Sequence, residues 1–154
     1  MQFNGAEKYH LQDESLPKEV LNEIKNVIED TNFSVLNNLP ASNIKKHLIN
    51  EFKKIGYVSN IPLFYGSNRK IDLLRNNEVG LHIQFGNHAQ VWFDVLKMGY
   101  LHDKSRIKFG IIITFNKETA NKINGGMTNF EDTILSYKEF SDFIRTPLIF
   151  VEIS

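Results

Sequence analysis

The sequence predicts an α/β fold, a mixed β-sheet flanked by helices on both faces. Three observations carry that expectation. Two stretches near the start, 16–30 and 42–55, repeat apolar residues at helical spacing. Three short extended runs between Ile61 and Phe85 are separated by turn residues, as in an antiparallel meander. Two later runs, Arg106–Phe115 and Pro147–Ile153, are almost continuously apolar, the pattern of strands covered on both faces.

Residues 1–14 are polar and weakly periodic and are expected to form a lead-in arm. Ser15 is a candidate cap for a first helix over 16–30, with Pro17 in its first turn and Val20, Leu21, Ile24, Val27 and Ile28 as its apolar stripe. The stretch 31–41, containing Asn37-Asn38-Leu39-Pro40, reads as a connection. A second helix is expected from Ser42, with Ile44, Leu48, Phe52 and Ile55 on one face and Gly56 positioned to end it.

Pro62 confines the run Ile61–Tyr65 to an edge or a strand start. After the turn at Gly66-Ser67-Asn68, residues 70–87 read as a β-hairpin. Asn87 is then a credible cap for a helix so apolar, through Val91, Trp92, Phe93, Val95, Leu96, Met98, Tyr100 and Leu101, that it is expected to be buried on most sides. Only Gln90, Asp94 and Lys97 interrupt that surface. Asn116–Met127 reads as a loop with a short helical turn, and Thr128-Asn-Phe-Glu131 as a capping box that starts a last helix.

At 154 residues and 42% hydrophobic, the chain fits a single domain, 1–154, with a proper core. Lysine plus arginine equals aspartate plus glutamate at 18 each, so no global field drives it towards nucleic acid or a membrane. Any nucleic-acid binding must come from a local patch. With no cysteine, thiolate nucleophiles, thiolate metal sites and disulfides are excluded. The start lacks the apolar core of a signal peptide and no run is long enough to span a membrane, so a cytoplasmic location is expected.

The hairpin carries the chemistry. Period-two alternation from Val79 to Phe85 sends Leu81, Ile83 and Phe85 to one face, and Gly80, His82, Gln84 and Gly86 to the other. An imidazole, a carboxamide and two glycines on one strand face imply that something sits against it. Asp72, between Ile71 and Leu73 on the preceding strand, is placed to converge on His82 and Gln84. The competing reading is an edge hairpin with one solvated polar face. On the second helix, Glu51 falls within the angular span of the apolar stripe, while Lys45, Lys46, Lys53 and Lys54 lie outside it. It reads either as a carboxylate at the rim of a metal site or as a residue at the stripe's edge reaching water. His88 is placed for a phosphate at a helix N-terminus or for a plain surface role; His10, His47 and His102 show no ligand spacing. Phosphate contacts would fall to Arg69, Lys70, Arg75 or the second-helix lysines.

An acid on one hairpin strand and a polar-x-polar pair on the next, in this element order, resembles the PD-(D/E)XK nuclease superfamily. More specifically, Ile71-Asp72-Leu73, His82-Ile-Gln84-Phe-Gly-Asn87 before an aromatic-rich helix, Gly125-Gly126, Phe130-Glu131 and Pro147–Ile153 resemble the BglII-type restriction endonucleases over roughly residues 40–153. The resemblance implies a restriction-endonuclease-like fold and a homodimer cutting palindromic double-stranded DNA with Mg²⁺, or Mn²⁺. It matches Asp72 to the metal-binding aspartate and Gln84 to the glutamine that replaces the usual catalytic lysine. Glu51 matches a helix acid near the metal.

The chain departs from that pattern at His82, which stands where the family has glutamate, and the Asp72-to-His82 separation is one residue longer than usual. Glu78, in the turn, is too far from the strand face to substitute. Imidazole is a poor ligand for Mg²⁺, which prefers hard oxygen, but a fair one for Mn²⁺, Ni²⁺ or Zn²⁺. The substitution therefore implies weakened activity, altered metal preference, rescue by Glu51, or a DNA- or protein-binding module that no longer cuts. His82 as a general base is the other catalytic option. The chain is also shorter than those relatives, with little room for recognition loops.

Overall fold

The computed structural model describes residues 1–12, 15–31 and 39–154, with Ser15 and Leu16 described by backbone alone. The cap expected from the Ser15 side chain and most of the 31–41 connection lie outside the described residues. The elements in order are β1 (Phe3–Tyr9), α1 (Ser15–Asp30), α2 (Ala41–Lys54), β2 (Val58–Pro62), β3 (Lys70–Arg75), β4 (Val79–Ile83), α3 (His88–Asp103), β5 (Phe109–Phe115), α4 (Lys117–Ile123), α5 (Phe130–Phe140) and β6 (Leu148–Ile153). The strands form one sheet in the order β1-β6-β5-β4-β3-β2. β4, β5 and β6 run parallel, while β2–β3, β3–β4 and β1–β6 pair antiparallel. This is the mixed sheet expected from the sequence, with apolar layers on both faces.

One layer packs Val20, Ile24 and Ile28 of α1 and Ile44, Leu48 and Phe52 of α2 onto Leu81, Ile83, Ile111 and Ile113. The opposite layer packs Val91, Val95 and Met98 of α3 and Ile134 and Tyr137 of α5 onto Ile112, Leu148 and Phe150. β5 is buried at every position, which is why it reads as an unbroken apolar run. No helix among the described residues is long and apolar enough to cross a membrane.

Four expectations are corrected. The lead-in arm is instead largely an edge strand, with Phe3 opposite Ile153 and Tyr9 opposite Leu148. A register shift between Phe3 and Gly5 breaks period two, so Phe3 and Ala6 both pack on the first layer while Tyr9 packs on the second. A bulge of this kind hides a strand from any alternation test. Second, α3 is two-faced: Val91, Val95, Met98 and Leu101 are buried, whereas Phe93, Leu96 and Tyr100 are exposed.

Third, the last helix is capped by Asn129, whose side chain accepts from the Asp132 amide at 3.0 Å; Glu131 instead accepts from the Lys117 amide. Fourth, α2 begins at Ala41 with no side-chain cap, so Ser42 lies inside it. Asn87 caps α3 as expected, accepting from the Gln90 amide, and Gly56 follows α2 at φ +97°. The 116–127 stretch holds the short helix α4, capped by Asn116.

Two strand glycines let α3 lie close on the sheet. A Cβ on Gly80 would sit 2.9 Å from Met98 Sδ, and one on Gly110 would sit 2.8 Å from Met98 Cγ and 2.9 Å from Leu148 Cδ2. At Gly110 the pressure comes from a helix and a neighbouring strand at once. Gly110→Ala is therefore expected to lower stability by about 1–3 kcal/mol through overpacking, read as a drop in the urea midpoint with an unchanged m-value.

Candidate active site

β3 and β4 pair only from Leu73 opposite Leu81 to Arg75 opposite Val79, beside a turn in which Asn76 and Asn77 both take positive φ. Beyond that pairing the strands part. β4 continues along β5 to Ile83, while Lys70 and Ile71 stay with β2. At the fork, Asp72 Oδ2 accepts the Ile83 amide at 2.8 Å, so a side chain replaces the missing ladder partner. The strand also turns over there: Ile71 packs in the α3 layer but Leu73 in the α1–α2 layer, and Asn60 on β2 takes φ +58°.

His82 fills the fork. Its Nδ1 lies 3.2 Å from Asp72 Oδ2, and its Nε2 lies 3.1 Å from Asp94 Oδ1 on α3. Each aspartate also meets an ammonium: Lys45 Nζ of α2 is 2.8 Å from Asp72 Oδ2, and Lys97 Nζ of α3 is 2.6 Å from Asp94 Oδ1. Gln84 donates its Nε2 to Asp94 Oδ2 at 2.7 Å, and its Oε1 accepts the Gly86 amide at 2.8 Å. Both ends of that carboxamide are thus held. His82 is 8% exposed and Asp94 only 3%.

Burial holds His82 well below the ordinary histidine range, and the nearby Lys45 and Lys97 charges push it the same way. Burial pushes the Asp94 carboxyl up, opposed by its hydrogen bond and attraction to Lys97. Among the described residues His82 Nδ1 is buried without a hydrogen-bond partner. A cavity of about 410 Å³, lined by His82, Gln84, Asp94, Lys45, Arg69 and Lys97, opens beside this cluster.

The structure therefore brings Asp72, His82 and Gln84 together, the last through Asp94. It also removes the solvated edge hairpin, because β4 is buried at every position between β3 and β5. Glu51 is not brought to the cluster. It lies six residues beyond Lys45 on α2, about 120° around the axis and about 9 Å along it. Its carboxylate meets Lys54 Nζ at 2.7 Å and His47 at 3.7 Å, in a groove shared with Glu23 and Asp30 of α1. Glu78 pairs with Lys108, and Arg75 with Glu23. His88 is within hydrogen-bonding distance of Ser136 Oγ, at 2.9 Å, tying α3 to α5. Arg69 sits over the Phe93 ring at the cavity, 5.5 Å from its centroid.

Asp94 and Lys97 are the site residues that the strand pattern missed. Their trace in the sequence is their interruption of an otherwise apolar helix. An acid and a lysine three residues apart on such a helix share one face.

The restriction endonuclease BglII/BglIII family model matches residues 2–153. The chain belongs to the BglII/BglIII restriction endonuclease family. A crystal structure of the restriction endonuclease BglII complexed with a DNA 16-mer superposes with TM-score 0.79 at 14% identity, over 99% of this chain and 76% of that one. Free BglII superposes with TM-score 0.69 at 16% identity, over 100% and 80%. No curated protein matches the sequence significantly.

Among the described residues no three histidine, aspartate or glutamate side chains gather closely enough to hold a metal ion by themselves. Asp72 and Asp94 stand at opposite edges of the imidazole, which explains this. Two of the donors nevertheless fit a divalent ion of the kind that BglII/BglIII-type enzymes generally use. The unpartnered Nδ1 of His82 faces the Asp72 carboxylate, and the Lys45 ammonium beside that carboxylate shows that the position attracts positive charge. Such ions are commonly held by one or two protein groups together with substrate phosphate.

Because the Glu51 pairs are exposed and lie in another groove, Glu51→Gln is expected to change stability by no more than about 0.5 kcal/mol, read from the urea midpoint. A larger loss would show that the carboxylate supports the α1–α2 packing.

Proposed function

We propose that this chain is a DNA endonuclease of the type II restriction class, hydrolysing phosphodiester bonds in double-stranded DNA with a divalent metal ion. The supporting observation is the meeting of Asp72 and His82 at the strand fork, beside a cavity rimmed by Lys45, Arg69 and Lys97, in a chain of this family. Asp72 and His82 would hold the ion. When bound, it would neutralise charge on the scissile phosphate and acidify the attacking water.

The other residues have separate tasks. Lys45, Lys97 and Arg69 present cations to phosphate oxygens. Gln84 is a neutral amide and neither takes nor gives a proton. Its locked orientation instead fixes Asp94 and the turn at Gly86. The nitrogen donor at His82 favours Mn²⁺ over Mg²⁺.

Supercoiled plasmid incubated with each ion tests this reading. Wild type is expected to cut faster with Mn²⁺ than with Mg²⁺, Asp72→Ala to abolish cutting, and His82→Glu to restore a preference for Mg²⁺. Cleavage that survives Asp72→Ala would remove the fork from the mechanism. Binding of duplex without cutting under either ion would make the chain a nuclease-fold binding module.

We also propose a homodimer as the working form. Phe93, Leu96 and Tyr100 form one exposed apolar face of α3 next to the cavity, with Phe64 packed edge-on to Tyr100. A second copy covering that face would place two sites on one duplex, as palindromic cleavage requires. Leu96→Glu is expected to shift sedimentation equilibrium to the monomer while leaving the far-UV spectrum unchanged.

A further inference from the structure

We infer that the β2–β3 loop, residues 63–69, is a DNA-reading element whose tip residue Tyr65 enters the major groove beside the cleaved phosphodiester. The inference deepens the endonuclease reading and rests on it for the duplex substrate. β3 runs antiparallel to β4, so its start at Lys70 lies at the end of the sheet where β4 gives out at Ile83. The last loop residue, Arg69, lines the cavity beside His82. The loop therefore leaves the sheet at the rim of the proposed site.

Its backbone is tied down at several points. The Leu63 amide donates to the Arg69 carbonyl at 3.0 Å, closing the loop, and the Ser67 amide donates to the Phe64 carbonyl at 3.0 Å, closing a turn inside it. Gly66 takes φ +81° in the third position of that turn, as a type II turn requires, which leaves Tyr65 in the second. The buried Ser67 hydroxyl accepts the Arg69 amide at 3.0 Å, and the Arg106 guanidinium donates to the Pro62 and Leu63 carbonyls. Phe64 packs edge-on to Tyr100, whereas Tyr65 is fully exposed. A braced turn thus holds the Tyr65 ring out in water.

Charge, width and reach fit duplex DNA. From Val58 to Lys70 the chain carries no acid and two cations, Arg69 and Lys70, and Lys45 and Lys97 line the same cavity as Arg69. That balance complements a polyanion with one charge per about 1.7 Å of its axis. A two-stranded ribbon, its strands about 4.8 Å apart, enters the major groove of about 12 Å but not the minor groove of about 6 Å. Tyrosine brings a large contact surface, few side-chain bonds to order, and a hydroxyl that can donate or accept at a base edge. From Tyr65 to Arg69 the chain spans at most about 14 Å, so Tyr65 bears on base pairs within about four steps of the phosphate that Arg69 meets.

Two measurements on the full chain test it, both with EDTA present so that binding is read without cutting. A mixed-sequence duplex carrying 5-iododeoxyuridine, whose iodine replaces the thymine methyl in the major groove, is irradiated with the protein. Mass spectrometry is expected to find the crosslink on Tyr65. In fluorescence anisotropy with the unsubstituted duplex, Tyr65→Ala is expected to weaken binding about 5–100-fold with unchanged salt dependence, and Arg69→Gln to lower the slope of log affinity on log salt by about one per chain.

Equal affinity in Tyr65→Ala, or crosslinks confined to other residues, would overturn the inference while leaving the endonuclease reading intact. A weaker dimer in Tyr65→Ala, read by sedimentation equilibrium without DNA, would also overturn it by assigning the loop to the subunit interface. Tyr65-dependent binding without cutting under Mg²⁺ or Mn²⁺ would support the inference and overturn the endonuclease reading instead.

Discussion

An imidazole held between two aspartates, each matched by its own lysine, is the constraint on which the functional end of this molecule depends. Charges are costly to bury, and removing one member of such a set commonly costs about 3–5 kcal/mol because its partner is left uncompensated. Four elements contribute: β3 and β4 give Asp72 and His82, α2 gives Lys45, and α3 gives Asp94 and Lys97. Helices from opposite faces of the sheet therefore meet across one strand fork. The requirement that they do so fixes how α2 and α3 sit relative to the strands.

The fork exists because the backbone ladder is allowed to fail at one place. An unpaired amide at Ile83 would be costly, and the Asp72 carboxylate satisfies it while also facing His82 and Lys45. Structural and chemical duties thus fall on the same side chain. The apolar sheet centre, β5 above all, supplies the rigid frame against which the fork is held open.

The helix after the hairpin works on two sides. Its buried side carries Asp94 among Val91, Val95 and Met98, and Gly80 and Gly110 let that side approach the strands closely. The other side presents Phe93, Leu96 and Tyr100 to solvent beside the basic cavity. Joining the charged cluster to that apolar surface within one helix ties the proposed chemistry to the proposed assembly.

Much of the architecture was legible because it rests on local rules. Period two in β4, helical spacing in α1 and α2, the unbroken apolar runs of β5 and β6, and the Asn87 cap each follow from residues a few positions apart. The approach of Asp72 to His82 was legible for the same reason, since a turn fixes which residues of two strands face each other. β1 was not, because its bulge scrambles the alternation and its partner β6 lies at the other end of the chain. Tertiary structure alone brought Asp94 and Lys97 to the His82 cluster and left the Glu51 carboxylate in another groove. Helical periodicity tells which way a side chain points but not what stands opposite, and that depends on how a helix docks on a sheet formed by distant residues.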